Sequence, residues 1–287
     1  IVVDDGSTDD TGLVLERLSA SSSLDLRVHR LDRNRGPAAA RNIGWRAARA
    51  PLVAFTDDDC LPQPGWLASI SAGLGTHDIA QGTTGANPHQ PTRGIFSRAP
   101  QATYERGFYE TCNIGYRVAA LAAVGGFDEG FGPRRGAPTW GEDTDLAWRA
   151  KEAGARSTFV PDAVVWHDMK PGRLRDELAD LPRRGGNAVL VKRHPGVRDS
   201  FESRWFVQAA HAPALGTVAA LAFAVRRPRR LLRWVVVAGL FGAWTRHRGV
   251  YNPKRDWLRT LPQWFVVDVA DTAVMAAASA RNRTLIL

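Results

Sequence analysis

Three consecutive aspartates, Asp57-Asp58-Asp59, follow the short apolar segment 52–55, which the sequence predicts to be a β-strand. Adjacent carboxylates repel one another, so a cation is their natural partner. Mg²⁺ in proteins takes oxygen ligands from one or two carboxylates together with substrate phosphates. The alternative is a solvated acidic turn, which is the commoner origin of an isolated run of charge.

A second acidic group, Asp4-Asp5-Gly6-Ser7, ends the β-branched run that opens the chain. Carboxylates at this place could accept hydrogen bonds from a nucleotide base or from ribose hydroxyls. An Asx-turn followed by a helix, with Thr8 as the N-cap and Asp9 and Asp10 in the first turn, explains the same residues.

A third group, Trp140-Gly141-Glu142-Asp143, stands at the start of a helix predicted over 142–153, with Gly154 at its C′ position. The helix dipole keeps carboxylates ionised at this end, as a general base requires. Trp140 offers a flat surface for a sugar ring. His167 follows a strand predicted over 157–166, and it indicates a ligand only if a metal site lies beside it.

The elements that position these groups alternate between strand and helix. Strands are predicted over 1–5, 24–31 and 52–55, and helices over about 9–20 and 37–49, the second beginning at Pro37. This order favours an α/β domain with a mainly parallel sheet. Ligands bind beyond the carboxyl ends of strands in such sheets, where two of the acidic groups are expected.

Composition limits the possible functions of the 287-residue chain. Two cysteines, Cys60 and Cys112, exclude a disulfide framework and a four-cysteine zinc site. Residues 1–169 carry 21 acidic and 17 basic residues, whereas residues 170–287 carry 8 acidic and 21 basic residues. This separation argues against a single basic nucleic-acid-binding domain, and no nucleic-acid partner is expected.

The basic portion contains three apolar stretches, 205–225, 231–244 and 264–280, and an arginine cluster at 226–230. This pattern predicts association with the anionic cytoplasmic face of a plasma membrane. Asp268 and Asp271 make the third stretch more typical of an amphipathic helix than of a span. The alternative is a helical subdomain packed on the remainder of the protein.

Taken together, residues 1–170 resemble a family 2 glycosyltransferase of the GT-A fold. The resemblance rests on Val3 to Asp9, Asn34 to Gly44, Phe55 to Asp59, Gly126 to Glu129, Gly141 to Leu146, and His167, in the family's order and near its spacing. It implies a GT-A catalytic domain over 1–170 that lacks its first strand, followed by a helical region over 171–287. The closing residues 281–287 resemble those of bacterial members with membrane-embedded C-terminal helices.

The resemblance also implies a role for each matching residue. Asp4, Asp5, Ser7, Arg41, Asp57 and Asp58 would bind the nucleotide sugar, and Asp59 and His167 would hold Mg²⁺ or Mn²⁺. Asp143 would be the catalytic base, Glu142 would contact acceptor hydroxyls, and Trp140 would border the acceptor site.

The implied reaction moves a sugar from a nucleotide-diphosphate donor to a glycan, lipid or small-molecule acceptor, with inversion, in cell-envelope glycan or glycolipid synthesis. Two other functions are considered. A sugar-phosphate nucleotidyltransferase would need a glycine-rich phosphate loop with a nearby lysine, and residues 1–50 contain no lysine. A non-catalytic membrane or polyanion-binding protein would not explain why carboxylates follow the strands.

Overall fold

The chain forms two compact units. The N-terminal unit comprises Ile1–Pro91 and Arg98–Lys170, and the C-terminal unit comprises Thr92–Ser97 and Pro171–Leu287. The structure, a computed structural model, describes residues 1–91, 94–131, 140–170, 172–203, 205–226, 228–251 and 257–286. Segment 94–97 belongs to the C-terminal unit because Phe96 packs with Leu181 and Val267. The sequence does not indicate that this short segment leaves the N-terminal unit.

The N-terminal unit contains strands and helices in mixed order. In chain order they are β1 (Val2–Asp4), α1 (Thr11–Ser21), β2 (Val28–Arg30), α2 (Pro37–Arg46), β3 (Leu52–Phe55), β4 (Cys60–Pro62), α3 (Trp66–Gly73), β5 (Ile79–Ala86), β6 (Ile114–Arg117), α4 (Val118–Ala123), α5 (Glu142–Glu152) and β7 (Ser157–His167).

The larger sheet of this unit is mixed, where the sequence favours a mainly parallel one. Its strand order is β3-β6-β5-β7-β4, and β1 and β2 form a separate parallel pair. Within the larger sheet β5 and β7 are parallel, while β6 runs antiparallel to β3 and β5, and β4 antiparallel to β7. A parallel neighbour needs a long crossover, usually a helix, and no long helix precedes β6 in the described part of segment 75–113.

Local signals set most element boundaries. α2 begins at Pro37, and α5 ends before Gly154, whose φ of 100° suits the C′ position.

Two predictions need correction. α1 begins at Thr11 because the Asp9 carboxylate accepts hydrogen bonds from the Thr11 amide (3.1 Å) and hydroxyl (2.6 Å), so Thr8 is not the N-cap. β2 covers only three of the eight residues predicted as a strand.

Two apolar clusters hold the mixed sheet against its helices. Leu146, Ala147 and Ala150 of α5 pack with Ile114 and Tyr116 of β6 on one side. Trp66, Ile70 and Leu74, in and just after α3, pack with Ala80 and Val165 on the other. The helix that presents Asp143 is therefore anchored directly to the sheet.

The C-terminal unit is helical. Its α-helices are α6 (Leu174–Asp180), α7 (Gly186–Arg193), α8 (His211–Val225), α9 (Leu231–Tyr251) and α10 (Trp257–Asn282). Within the described parts of the chain, no helix combines the length and the apolar composition that crossing a bilayer requires.

Buried ion pairs hold the helices of the C-terminal unit together. Asp271 of α10 is bound by Arg184 and lies 3.4 Å from His211 Nε2. Arg184 also pairs with Glu177 of α6. Burial alone would raise the pKa of Asp271, but the hydrogen bond to His211 and the charge of Arg184 lower it overall.

Asp268, one turn before Asp271, is buried as well. It is bound by Arg248 and accepts a hydrogen bond from Trp244 Nε1 at 2.8 Å. The sequence favours an amphipathic helix here, but Asp268 and Asp271 are turned into the unit rather than towards solvent.

Candidate active site

The loop after β1 is fixed by its own acidic residues. Asp4 is buried, its Oδ1 accepts a hydrogen bond from the Ser7 amide at 2.8 Å, and its Oδ2 lies 3.3 Å from Arg30 Nε. The hydrogen bonds from Ser7 and the charge of Arg30 lower the pKa of Asp4. Gly6 has a φ of 77°, and a Cβ there would lie 2.5 Å from the Arg33 backbone, so only glycine fits. Asp4 is therefore ionised and immobile.

Asp5 connects this loop to α2. Its two oxygens accept hydrogen bonds from the amides of Arg35 (2.7 Å) and Gly36 (2.8 Å), immediately before the helix begins at Pro37. The local turn that the sequence offers as an alternative to ligand binding is the one closed by the Ser7 amide on Asp4. Asp4, Asp5 and Ser7 border the start of the helix that carries Arg41.

Arg41 of α2 binds two carboxylates from distant parts of the chain. Its Nη1 lies 2.9 Å from Glu142 Oε1, and its Nη2 lies 3.2 Å from Asp57 Oδ1. These contacts bring the aspartate turn after β3 next to the N-terminus of α5. Asp58, between Asp57 and Asp59, is exposed.

Asn42, the next residue of α2, holds the segment Gly126 to Glu129. Its side chain donates to the Phe127 carbonyl (2.9 Å) and to Glu129 Oε1 (3.0 Å), and it accepts from the Phe127 amide (2.9 Å). A Cβ at Gly126 would lie 2.5 Å from Asn42 Oδ1. This buried lock fixes the orientation of α2, and with it the position of Arg41.

Asp59 and His167 face each other across the β4–β7 pair, in which Cys60 is in register with His167. His167 Nε2 lies 3.3 Å from Asp59 Oδ1. His167 Nδ1 lies 2.9 Å from the Asp168 carbonyl, which can only accept, so Nδ1 carries the proton. In the neutral ring Nε2 then presents a lone pair to a carboxylate oxygen.

Two facing acceptors at that distance need a proton or a cation between them. Histidines that bind a metal through one ring nitrogen usually donate a hydrogen bond from the other ring N–H to a carbonyl or carboxylate. Cys60 Sγ lies 4.0 Å from Asp59 Oδ1 and belongs to the same group of donors. Burial raises the pKa of Asp59, while His167 and Lys170 oppose that effect. The donors fit a divalent cation that takes its remaining ligands from phosphate or water.

Asp143 lies in the first turn of α5. Its oxygens accept hydrogen bonds from the Thr144 amide (2.7 Å) and the Thr111 amide (3.3 Å). Burial, together with the charge of Glu142, raises its pKa to about 7, although Arg41 opposes the rise. A carboxylate with a pKa near neutrality is suited to accept a proton from an alcohol.

Sequence reasoning missed the segment beside Asp143. Glu110 adds to the negative charge around Asp143 and accepts a hydrogen bond from Gln81 Nε2 at 2.8 Å. Its neighbour Thr111 supplies the amide that binds Asp143, and Cys112 contacts Cys60. No spacing in the sequence indicates these residues, because their positions depend on how β6 enters the sheet.

The structure therefore brings most of the expected residues into one connected group. Asp143 contacts Thr111, next to Cys112, and Cys112 contacts Cys60, which adjoins Asp59 and His167. Trp140, also in the N-terminal unit, has the Arg98 guanidinium 5.6 Å from its ring centroid.

Comparison with known proteins agrees with this geometry. A family model described as glycosyl transferase family 2 matches residues 1–125. Succinoglycan biosynthesis protein ExoU of Rhizobium meliloti is 30% identical over 264 residues, which cover 80% of this chain and 75% of that protein. The chain belongs to glycosyl transferase family 2.

This family 2 chain also resembles the pre-mycofactocin glycosyltransferase of Mycobacterium tuberculosis, with 32% identity over 260 residues that cover 81% of this chain. The chain spans about half the length of that relative, of which 52% is covered. A solved mannosyltransferase from Pyrobaculum calidifontis matches 98% of this chain and 76% of its own, with a TM-score of 0.65 and 20% identity. That likeness shows the GT-A fold which the sequence resemblance implies.

Proposed function

We propose that this chain is a metal-dependent inverting glycosyltransferase, which moves a sugar from a nucleotide-diphosphate donor to an acceptor hydroxyl. One observation carries the proposal: Arg41 binds Asp57 and Glu142 together and so brings the aspartate turn beside the helix that presents Asp143. Family membership supports it, as does the solved mannosyltransferase, which was determined with GDP-Man and Mn²⁺.

Donor binding would use the edge formed by the loop after β1, α2 and the aspartate turn. Asp5 and Ser7 would face the base and ribose on the loop that buried Asp4 holds in place, and Arg41, Asp57 and Asp58 would lie near the ribose and diphosphate. Asp59 and His167 would hold Mg²⁺ or Mn²⁺. When bound, such an ion supplies Lewis-acid stabilisation of the departing diphosphate.

Proton transfer would be the work of Asp143. Its carboxylate is held by the Thr111 and Thr144 amides, so it can accept the acceptor's hydroxyl proton without reorganising. A single displacement from the face opposite the leaving group inverts the anomeric centre. Glu142 would contact acceptor hydroxyls, and Trp140 would border the acceptor.

We infer a bacterial cell-envelope setting for this reaction, with a glycan or glycolipid as its product and the cytoplasmic face of the plasma membrane as its location. The excess of basic residues after residue 169 supports this inference. So does the similarity to a protein named for succinoglycan biosynthesis. The acceptor would be a glycan, a lipid or a small molecule.

The test is a panel of nucleotide sugars assayed with Mn²⁺ or Mg²⁺ and, in parallel, with EDTA. We expect transfer from at least one nucleotide sugar to an alcohol acceptor, release of the nucleoside diphosphate, and loss of both with EDTA. Pyrophosphate release from a nucleoside triphosphate and a sugar phosphate would instead identify a nucleotidyltransferase. Undiminished transfer in EDTA would contradict the metal requirement.

A further inference from the structure

Large apolar side chains are exposed around the connection between α8 and α9. The most exposed are the last ones of α8 and the first ones of α9, with 43% to 77% of each residue accessible. We call this surface the hairpin tip, and its main side chains are Leu221, Phe223, Val225, Leu231, Leu232 and Val235. Large apolar side chains exposed together in this number mark an interaction site.

The opposite end of the same helix pair is packed. Ala214 of α8 and Trp244 of α9 are buried together, and Trp244 donates a hydrogen bond to Asp268 of α10. Gly216 lies against Leu240, which lets the two helices approach closely. Apolar exposure continues along the pair at Leu215, Val218, Val236 and Phe241, at 37% to 49% of each residue, and is greatest at Leu231 and Leu232 of the hairpin tip, at 77% and 75%.

Charge at the hairpin tip has one sign. Arg226, Arg229 and Arg230 are exposed in the connection, and the sequence has no acidic residue between Glu202 and Asp256. The Arg233 guanidinium lies 3.9 Å from the Phe223 ring centroid. Apolar side chains bordered by arginine are the combination that binds anionic lipid surfaces.

A second copy of the chain fits this surface less well. A symmetric dimer buries the same patch from both subunits, so it would bring the two sets of arginines together. An anionic bilayer instead offers acyl chains to the leucines and phosphates to the arginines. Long cationic side chains reach the headgroups while apolar neighbours lie deeper.

We propose that the hairpin tip docks this chain onto an anionic phospholipid bilayer, with its apolar side chains among the acyl chains and its arginines on the lipid phosphates. The proposal rests on the membrane location inferred above and adds the contact surface and the lipid class. It does not depend on which sugar is transferred.

The experiment measures binding of the whole chain to vesicles by flotation, using phosphatidylcholine with and without phosphatidylglycerol. We expect binding only with phosphatidylglycerol, weakening as salt is added. The double variant Leu231→Ser, Leu232→Ser should bind on the order of a hundredfold more weakly, because two leucines no longer leave water. The matched control changes two equally apolar exposed residues, Leu24→Ser and Leu67→Ser, and should bind like the unaltered chain.

A triple variant, Arg226→Gln, Arg229→Gln and Arg230→Gln, tests the charge. We expect a loss on the order of a hundredfold and a flatter salt dependence, since each arginine contributes about fivefold at an anionic surface. Thermal unfolding should match the unaltered chain, because all three residues are exposed.

Three results would overturn the proposal: no binding to anionic vesicles, equal binding to pure phosphatidylcholine, or equal losses in both leucine variants. Self-association abolished by the Leu231 and Leu232 changes, without vesicle binding, would assign the surface to a second copy. Nucleotide-sugar binding measured without vesicles separates the two proposals. Donor binding with failed docking contradicts only this one, and docking without donor binding or transfer contradicts only the glycosyltransferase.

Discussion

Asp268 of α10 and the acidic residues beside Arg41 have opposite surroundings. In the C-terminal unit Asp268 is buried and is bound by Arg248. In the N-terminal unit a single guanidinium, that of Arg41, is shared between Asp57 and Glu142 and lies near Asp143. The first arrangement balances charge within the protein, whereas the second leaves negative charge that a bound cation or substrate can compensate.

This difference separates a structural role from a functional one for the same residue type. A buried pair with good geometry needs nothing further, and breaking it leaves an uncompensated charge. Crowded carboxylates that share a cation raise one another's pKa values, which is typical of catalytic and metal-binding sites. The predictions below test both sides of the contrast, from the largest expected effect to the smallest.

Asp143→Asn should have the largest effect. We expect the rate of transfer to fall by about 10²- to 10⁴-fold, because the general base is lost. Donor affinity, measured by calorimetry, should change little, since the amide keeps the shape of the side chain. Turnover near that of the unaltered chain would show that Asp143 is not the base.

Asp268→Asn should destabilise the C-terminal unit without touching the candidate site. Removing one partner of a buried ion pair typically costs about 3–5 kcal/mol, here because Arg248 keeps its charge without Asp268. Chemical denaturation measures the loss. Asp25→Asn is the matched control: its side chain is 75% exposed, so its contact with Arg27 contributes within about 1 kcal/mol. Equal losses of stability in the two variants would show that the buried ion pair contributes no more than the exposed one.

Asp59→Ala should abolish stabilisation by Mn²⁺. A ligand present at about a hundredfold excess over its Kd stabilises the native state by roughly 2.7 kcal/mol. Thermal unfolding with and without Mn²⁺ should show this gain in the unaltered chain and in Asp162→Ala, an exposed control on β7. A gain that persists in Asp59→Ala would place the ion elsewhere.

The pH dependence of sugar transfer should follow the protonation of Asp143. Its pKa of about 7 means that kcat/KM should fall by about tenfold for each pH unit below neutrality, as the base becomes protonated. A pH profile that remains flat from pH 5 to 7 would argue against this base.

The same raised pKa links Asp143 to folding. Asp143 has a pKa near 3.8 in the unfolded chain, so the native state binds its proton more tightly. The protonated carboxyl therefore makes its full contribution to the free energy of unfolding below pH 3.8. This contribution is lost as the pH rises through about 7. Between these values the unaltered chain should lose stability relative to Asp143→Asn, which denaturation at a series of pH values would show.

The sequence by itself determined the elements whose signals are local. The strand at 52–55, the helix start at Pro37 and the helix end before Gly154 all follow from apolar spacing, proline and glycine. Pro161-Asp162 lies within β7, where the pairing with β5 shifts register between Gly82 and Thr83. The family motifs identified the fold because each lies within a few residues and keeps its order.

Only the tertiary structure decided which of these local pieces meet. Arg41 and Glu142 are 101 residues apart, and Arg184 and Asp271 are 87 apart. Asp57 and Asp268 look alike as letters in a sequence, yet one shares its cation and the other has its own. Helix caps and strand periodicity depend on neighbours within a turn or two, whereas the balance of charge around a side chain depends on packing the whole unit. For that reason the sequence identifies the acidic residues, whereas only their packing decides which of them stabilise the fold and which are available for chemistry.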